Sequence, residues 1–306
     1  MYQSVFINTG ATRLVLFLAM LLVTANASAA DGRLEINQAC VNAGCFPEDS
    51  PGLPVEINNP GSYVFTSNLQ QTQSGGTGIR ILSDRVTLDL NGFVLSGPDA
   101  LNGHNGVAVE AKRAEIRNGQ ILGFNQAIFP VGGGENGDHS RAIGLTVSDY
   151  DNSGIRLGSY SLVRDCSISG DHTGIFMAAH SVAEGNRIVM TGALDTADGI
   201  SISSHGLVRD NIVRDSPGDG ISVGAVSIVS RNIVRSNGLS GIRATGNGSV
   251  IEQNAVVSNQ NFGIEVLNGT NHLIRGNNVL NNNQSGGIFT NIEDCPTCTL
   301  IDNHAP

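Results

Sequence analysis

A repeat of about 22 residues constrains the fold of this chain more than any other feature of the sequence. Each unit opens with Gly-Ile, and in most units an asparagine follows about twelve residues later. A unit this short cannot bury its own apolar side chains, so neighbouring units must stack to form a continuous core. The sequence therefore predicts a stacked solenoid. The repeat glycines are Gly154, Gly174, Gly199, Gly220, Gly241, Gly263 and Gly287.

The residues after each repeat glycine alternate in the manner of a strand. The first and third positions are apolar, as in Ile221 and Val223, whereas the second position varies and should face solvent. A second and a third apolar stretch follow in most units, for example 206–209 and 212–213. We therefore expect an all-β fold with three strands per coil.

The asparagines of the repeat predict a second periodic structure. Stacked amide side chains can bond both to the backbone of a buried turn and to the next amide, and asparagine tolerates left-handed backbone. We expect an internal asparagine ladder in which Cys166 takes the equivalent place as a small buried residue. The members of this ladder are Asn186, Asn211, Asn232, Asn254 and Asn277.

These features together resemble the right-handed parallel β-helix superfamily, which includes pectate lyases and polygalacturonases. The resemblance covers residues 77–306, and the segments 60–69 and 88–92 are similar to the opening of exported bacterial β-helix proteins of unassigned activity. It implies a right-handed parallel β-helix solenoid of about ten coils. Residues 31–76 are then a short N-terminal cap with the first strands.

The N-terminus predicts export. Arg13 precedes an apolar run, 14–24, and small residues at 27–30 suit signal peptidase, so residues 1–30 are predicted to be a signal peptide. The alternative is an uncleaved anchor, but the run is short for a membrane span and no later segment is apolar enough for one. We expect a secreted or periplasmic protein. Its net charge of −10 argues against nucleic acid as a partner.

Five cysteines in an exported chain predict disulfides. Cys40 and Cys45 lie close together near the predicted mature N-terminus, and Cys295 and Cys298 lie close together near the C-terminus. We expect each pair to form a local bridge. A zinc or redox role for the second pair is the alternative, although a lone CxxC is weak evidence for it.

The resemblance places chemistry on the outer face of the first parallel sheet. Acidic residues cluster just before the repeat glycines, where carboxylates suit calcium binding or glycoside hydrolysis, and Arg156 could imitate a lyase base. Asp-Gly also marks ordinary tight turns. The polygalacturonase motifs are not matched. The candidate catalytic residues are Asp171, Asp195, Asp198, Asp219, Arg156 and His172, and the candidate calcium ligands are Asp195, Asp198 and Asp219.

Two functions remain open on the sequence. One is a largely non-catalytic protein that binds an extracellular or cell-envelope polysaccharide or acts as a scaffold; the other is a calcium-assisted polysaccharide lyase or glycoside hydrolase. A deep groove gathering the aspartates with Arg156 would favour the enzyme. His180 and His205 occupy the same place in adjacent units, in line with Tyr160, and are predicted to stack.

Overall fold

The fold is described from a computed structural model, which defines residues 32–72, 76–98, 103–192, 196–286, 291–293 and 295–305. The predicted signal peptide, residues 1–30, lies outside this range. The chain from Arg33 to Pro306 forms one compact unit. Its described residues form 28 strands, all paired in parallel, and one short helix.

Three parallel stacks of strands run the length of the solenoid, and each strand pairs with the equivalent strand of the next coil. The first sheet, which begins at the repeat glycines, contains β2 (Val55–Ile57), β5 (Thr77–Ile81), β8 (Asn105–Val109), β13 (Thr173–Met177), β16 (Ile200–Ile202), β19 (Ile221–Val223), β22 (Ile242–Thr245) and β25 (Ile264–Leu267).

The second sheet contains β1 (Leu34–Ile36), β3 (Gly61–Phe65), β6 (Val86–Asp89), β11 (Leu162–Arg164), β14 (Val182–Glu184), β17 (Leu207–Arg209), β20 (Ile228–Ser230), β23 (Val250–Glu252), β26 (Leu273–Arg275) and β28 (Thr299–Ile301). The third sheet contains β4 (Leu69–Gln70), β7 (Val94–Ser96), β12 (Ser167–Gly170), β15 (Arg187–Met190), β18 (Ile212–Arg214), β21 (Ile233–Arg235), β24 (Ala255–Val257) and β27 (Asn278–Leu280). Two long strands, β9 (Glu115–Pro130) and β10 (Arg141–Leu157), pass through all three sheets.

This arrangement confirms the predicted all-β solenoid of about ten coils with three strands per coil. In the first sheet, Ile175 pairs with Ile200 and Ile200 with Ile221, and all three side chains are fully buried. Identical side chains thus stack on one another along the core. The alternating residues between them, such as Ser201 and Ser222, remain partly exposed on the outer face.

Close packing between coils explains why glycine recurs at the start of the first-sheet strand. A Cβ atom added at Gly220 would collide with Val234 and Asn237 and would lie 2.7 Å from the carbonyl oxygen of Gly241 in the next coil. Real Cβ atoms do not approach backbone this closely. The glycine therefore allows the third-sheet side chains of one coil to reach under the first-sheet strand.

Each corner of the later coils is built from two residues. The first has a positive φ, and the second turns its side chain inward to accept the backbone N–H of the equivalent residue in the preceding coil. At the corner between the second and third sheets, for example, Asp210 has φ 59° and Asn211 accepts from the N–H of Asn186 at 2.9 Å. Left-handed backbone is costly for most residues, so these corners depend on the stacking that surrounds them.

The asparagine ladder lies at this corner. Oδ1 of Asn232 accepts from both the backbone N–H and the Nδ2 of Asn211, each at 3.0 Å, while its own Nδ2 donates to Asn254 and to the carbonyl of Val208. The pattern repeats from Asn186 to Asn277 and continues to Asn303. Cys166 is buried and unbridged in the equivalent place, where its N–H donates to Asn186.

Two further ladders lie at the other corners, and sequence reasoning did not identify them. Between the third and first sheets, Asn237 accepts from Ser216, and the ladder continues with Asn259 and Asn282. Between the first and second sheets the acceptors are mostly serine hydroxyls; Ser161 accepts from Ser140 N–H at 3.2 Å, and Ser249 accepts from Ser227 N–H at 3.1 Å. All three corners are therefore held by buried side-chain hydrogen bonds between coils.

Both predicted disulfides are present. Cys40 and Cys45 lie 4.6 Å apart between Cα atoms and close the loop after α1 (Gln38–Val41), and Cys295 and Cys298 lie 5.3 Å apart. Phe46, next to the first bridge, packs edge-on against the buried Tyr63 of β3. The first bridge thus fastens a loop onto the N-terminal coils, in the region predicted to be the cap.

Candidate functional site

The five predicted catalytic residues that the structure describes lie on or beside the outer face of the first sheet, but they are distributed over separate places. Arg156 and His172 line one shallow hollow of about 220 Å³ together with Phe176. The Arg156 guanidinium lies over the Phe176 ring, 4.9 Å from its centroid, an attractive cation–π arrangement. Arg156 forms no ion pair among the described residues.

Asp171 lies in a different hollow, of about 610 Å³, at the corner between the third and first sheets. It shares this hollow with Asp149 and Asp151, and its carboxylate accepts a 2.8 Å hydrogen bond from the Thr191 hydroxyl. Neither Asp198 nor Asp219 lines either hollow. The described residues therefore do not gather the aspartates with Arg156 into one groove.

Asp198 and Asp219 occupy the same position in adjacent coils, as predicted from the repeat, and each carboxylate is used by the backbone. Oδ1 of Asp198 accepts from the N–H of Asp219 at 3.0 Å, and Oδ1 of Asp219 accepts from the N–H of Ser240 at 2.9 Å. Burial, and next the neighbouring charge of Asp219, raise the pKa of Asp198 to about 7. Burial also raises the pKa of Asp219, against the opposing effect of Arg243 at 3.4 Å.

Asp198 and Asp219 begin a row of acidic side chains, which we call the acidic row. It continues further along the first sheet than the sequence predicted. Glu265 accepts from the Ser240 hydroxyl at 2.8 Å, and Glu293 accepts from the N–H of Val266 at 2.6 Å. Burial raises the pKa of Glu293, and the charge of Glu265 adds to this effect. Because these carboxylates bond to hydroxyls and backbone amides, the row performs a structural task in the turns and strand ends.

Within the described parts of the chain, no three His, Cys, Asp or Glu side chains are close enough together to hold a metal ion. The predicted calcium ligand Asp195 lies outside those parts. The described pair, Asp198 and Asp219, supplies acidic oxygens of the kind that calcium prefers.

A second candidate surface runs along the corner between the first and second sheets. Four rings from successive coils stack there: His139 on Tyr160, Tyr160 on His180, and His180 on His205, with centroids 4.9, 4.8 and 4.5 Å apart. We call these four residues the ring stack. The predicted alignment of Tyr160, His180 and His205 is confirmed, and His139 extends it by one coil.

All members of the ring stack have positive φ, between 56° and 61°. The corner residues of the two preceding coils, Arg85 and Arg113, have φ values of 60° and 58° and continue the same line. We call Arg85, Arg113 and the ring stack together the corner row. Apart from glycine, left-handed backbone is enriched in asparagine, aspartate and histidine, so Arg85, Arg113 and Tyr160 are the less usual members of this row. Persistent strain of this kind concentrates at functional surfaces.

All members of the corner row except His205 line one wall of a groove of about 700 Å³, whose floor is the outer face of the second sheet. Aliphatic side chains, including Leu162, Val182 and Leu207, line the floor. Tyr160 is 54% exposed, so its polar edge is available to a ligand. A groove of this size is typical of binding sites for small molecules and segments of polymers.

The charges in this groove contrast with the net charge of −10 on the whole chain. Its acidic side chains already have arginine partners: Glu184 with Arg209 at 2.8 Å, and Glu115 with Arg141 at 3.7 Å. Arg85 has no ion-pair partner within the described parts of the chain, and Arg113 has only a long 3.7 Å contact with the half-exposed Asp84. The groove therefore presents excess positive charge at its N-terminal end.

Sequence reasoning noted the stacking of His180 and His205 but did not associate it with a groove. The signal lies in the repeat itself, because three of the four rings come immediately before the ladder serine of their corner, as in Tyr160-Ser161 and His180-Ser181. Predicting the groove from the sequence would also require knowing which second-sheet side chains face outward.

Comparison with known proteins identifies the fold. A family profile described as a right-handed beta helix region matches residues 198–305. No curated protein sequence matches the chain.

No helix in the described parts is long and apolar enough to cross a membrane.

Solved structures resemble the chain at low sequence identity. The A-module of a mannuronan C-5 epimerase from Azotobacter vinelandii is 14% identical with a TM-score of 0.56, covering 80% of this chain and 86% of the module. An alginate lyase from a Paenibacillus species is 13% identical with a TM-score of 0.55, covering 89% and 98%.

A mutant tailspike of the E. coli bacteriophage HK620, solved in complex with a pentasaccharide, is 13% identical with a TM-score of 0.54, covering 72% of this chain and 50% of the tailspike. At these identities the likenesses establish the fold alone. Together with the matched profile and the three stacked sheets, they show that this chain has the right-handed parallel β-helix fold.

Proposed function

We propose that this protein is an exported polysaccharide-binding protein that holds its ligand lengthwise in the groove beside the ring stack, without cleaving it. The observation that carries the proposal is the stack of four rings at left-handed positions, three of which line a groove of about 700 Å³. Other corners also hold large side chains in left-handed backbone, for example Arg231 and Gln253, so it is the alignment of the rings beside the groove that supports the proposal.

The geometry suits an extended polar polymer. The rings stack face to face, so their edges, with the Tyr160 hydroxyl and the imidazole nitrogens, point outward and offer one hydrogen-bonding group per coil. The aliphatic floor beside them can pack against the less polar faces of sugar rings. The resembling epimerase, lyase and tailspike supply a supporting analogy, since their names connect this fold with polysaccharides.

Export supports an extracellular or cell-envelope ligand. Two disulfides are typical of oxidising compartments, and they agree with the predicted signal peptide, which places the protein in the periplasm or outside the cell.

A direct test compares two substitutions at equivalent corner positions. Tyr160→Asn removes a ring from the middle of the stack, whereas Val226→Asn changes the next exposed corner residue beyond the stack, which has φ 57° and does not line the groove. Asparagine tolerates left-handed backbone, so neither variant should unfold the protein. Affinity would be measured by calorimetry against acidic and neutral polysaccharides. We expect binding that Tyr160→Asn weakens and Val226→Asn does not; equal effects would overturn the assignment to this groove.

A second candidate function is polysaccharide cleavage at the outer face of the first sheet. The raised pKa of Asp198, about 7, is the observation that favours it, because a buried carboxyl that titrates near neutrality suits acid–base chemistry. Asp219 would assist, with calcium bound by the acidic pair, and Asp171, Arg156 and His172 would have to act from the neighbouring hollows.

Mass spectrometry of polysaccharide incubated with the protein, with and without calcium, separates the two functions. Released oligosaccharides that disappear in Asp198→Asn would establish the enzyme, and unsaturated products that require calcium would identify a lyase. If a polysaccharide binds tightly but no product is released from it, the result supports binding without cleavage.

A further inference from the structure

We infer that the ligand of this groove is an acidic polysaccharide, whose anionic groups bind to Arg85 and Arg113 while its sugar chain continues along the ring stack. The inference rests on the proposed binding function and adds the chemical class and the direction of the ligand. It concerns the corner between the first and second sheets, not the outer face of the first sheet.

The first observation is continuity of position. The backbone N–H of Arg85 donates to the residue before Arg113, and the N–H of Arg113 donates to the residue before His139, so the row runs coil by coil from the arginines to the rings. Both arginines have the same left-handed φ as the rings and line the same groove. One linear ligand in the groove can therefore contact the five members of the row that line it, from Arg85 to His180.

The second observation is the state of the charges. Glu115 lies 3.1 Å from Arg117 and 3.7 Å from Arg141, and Glu184 lies 2.8 Å from Arg209, so these carboxylates are already matched within the second sheet. Arg85 has no ionic partner in the described parts of the chain, and the contact of Arg113 with Asp84 is long and half-exposed. Two adjacent guanidinium groups that lack close carboxylates favour an anionic ligand over a neutral one.

The third observation is the chemistry of the groups along the row. Guanidinium groups donate in a planar fork that matches carboxylate, sulfate and phosphate oxygens. Every side chain of the corner row can donate a hydrogen bond, and none carries a negative charge. The groove thus offers two cationic forks at its N-terminal end and a run of neutral or basic donors beyond them, which orients an acidic chain along the solenoid axis.

The experiment measures the affinity of the folded protein for an acidic polysaccharide and for the same polymer after its carboxyl groups have been reduced to alcohols. The test variant is Arg85→Gln combined with Arg113→Gln. The control is Arg187→Gln combined with Arg235→Gln, which removes the same charge from two arginines of the third sheet that have no ion-pair partner within the described residues. Circular dichroism confirms that each variant is folded.

We expect the acidic polymer to bind more tightly than the reduced one, and the Arg85/Arg113 variant to lose about tenfold or more in affinity, the effect of one charge-assisted hydrogen bond. The control variant should bind normally. Equal losses in both double variants would show only a general dependence on charge and would overturn the inference.

Failure of the inference and failure of the proposed function give different results. If the reduced polymer binds as well as the acidic one and Tyr160→Asn still weakens binding, the groove binds a neutral glycan and only the inference is wrong. If no polymer binds, the proposed function fails as well. Added sodium chloride should weaken binding of the acidic polymer in the unmodified protein and much less in the Arg85/Arg113 variant.

Discussion

Removing one asparagine from the middle of the ladder should destabilise the solenoid more than removing any exposed side chain. In Asn232→Ala, four buried hydrogen bonds at 3.0 Å are lost: two accepted from Asn211, one donated to Asn254 and one donated to the carbonyl of Val208. The backbone N–H of Asn211 is left buried without its partner. An orphaned buried donor costs about 1–3 kcal/mol and each of the three other lost bonds about 0.5–1.5 kcal/mol, so we expect a loss of about 2.5–7.5 kcal/mol.

The matched control lies in the neighbouring corner. Ser227 accepts one buried backbone N–H, from Gly206 at 3.0 Å, and donates to Gly224 at 2.8 Å. Ser227→Ala should therefore cost about 1.5–4.5 kcal/mol, less than Asn232→Ala because two fewer hydrogen bonds are lost. Guanidinium chloride denaturation, followed by circular dichroism, gives both values.

Stacked repeats do not always unfold in a single cooperative step, so a local measurement is needed as well. Native-state hydrogen exchange should show faster exchange of the Asn211 amide in Asn232→Ala than in Ser227→Ala. The reasoning is refuted if the two variants have equal stability and the Asn211 amide remains protected, because the amide ladder would then contribute no more than the hydroxyl one.

Three further predictions follow from particular contacts. Because Asp198 has a higher pKa in the folded protein, about 7, than its ordinary 3.8, its protonated form favours folding, and this contribution is present below about pH 4 and lost as the pH rises through 7. In denaturation at several pH values, Asp198→Asn should gain stability over the unmodified protein as pH rises, by at most about 4 kcal/mol at pH 8, and a constant difference would contradict this. Cys166→Asn should extend the asparagine ladder by one coil, because its amide can donate to the carbonyl of Ala142 in place of the thiol. We expect the free energy of unfolding to rise by about 1 kcal/mol. A lower melting temperature would mean that the larger side chain does not fit. Gly220→Ala should lower the free energy of unfolding by about 3 kcal/mol or more, because its Cβ would collide with Val234. Gly248→Ala should cost only about 1 kcal/mol, because the space around Gly248 is open and only its φ of 73° is unfavourable. Similar losses in the two variants would show that backbone strain dominates.

The architecture was predictable because each coil repeats the same tasks at fixed offsets from its glycine. Ile221, Val223 and Asn232 are informative only when aligned with their counterparts in the next coil, and the alignment predicts which side chains stack. The ladders of Asn237 and Ser227 carry the same kind of signal and could have been identified from it. They were missed because serine and asparagine also occur in ordinary turns.

The candidate site was less predictable because proximity across coils depends on where each residue lies around the coil. Asp171 comes three residues before its glycine and Asp198 comes one residue before, and this difference places Asp171 in a corner hollow and Asp198 against the backbone of the next coil. The raised pKa of Asp198 depends on burial, which no single residue type reveals. The groove depends on outward-facing residues of the second sheet, which vary from coil to coil and have no repeat signal.

The corner residues separate the requirements of folding from those of function. The ladder residue, such as Ser161, fixes the register, and the inward isoleucines form the core, so the exposed residue before the ladder residue needs only to accept a positive φ. Where that residue is Gly185, Asp210 or Asn281, low backbone strain explains the choice. Along the corner row the chain instead places six larger side chains, each at a cost of about 1–2 kcal/mol in left-handed backbone. Because Arg231 and Gln253 show that other corners accept a similar cost, strain alone does not mark a function. What distinguishes the corner row is that five of its six side chains line a groove next to arginines without close carboxylates, and this makes the line the surface on which binding should be tested first.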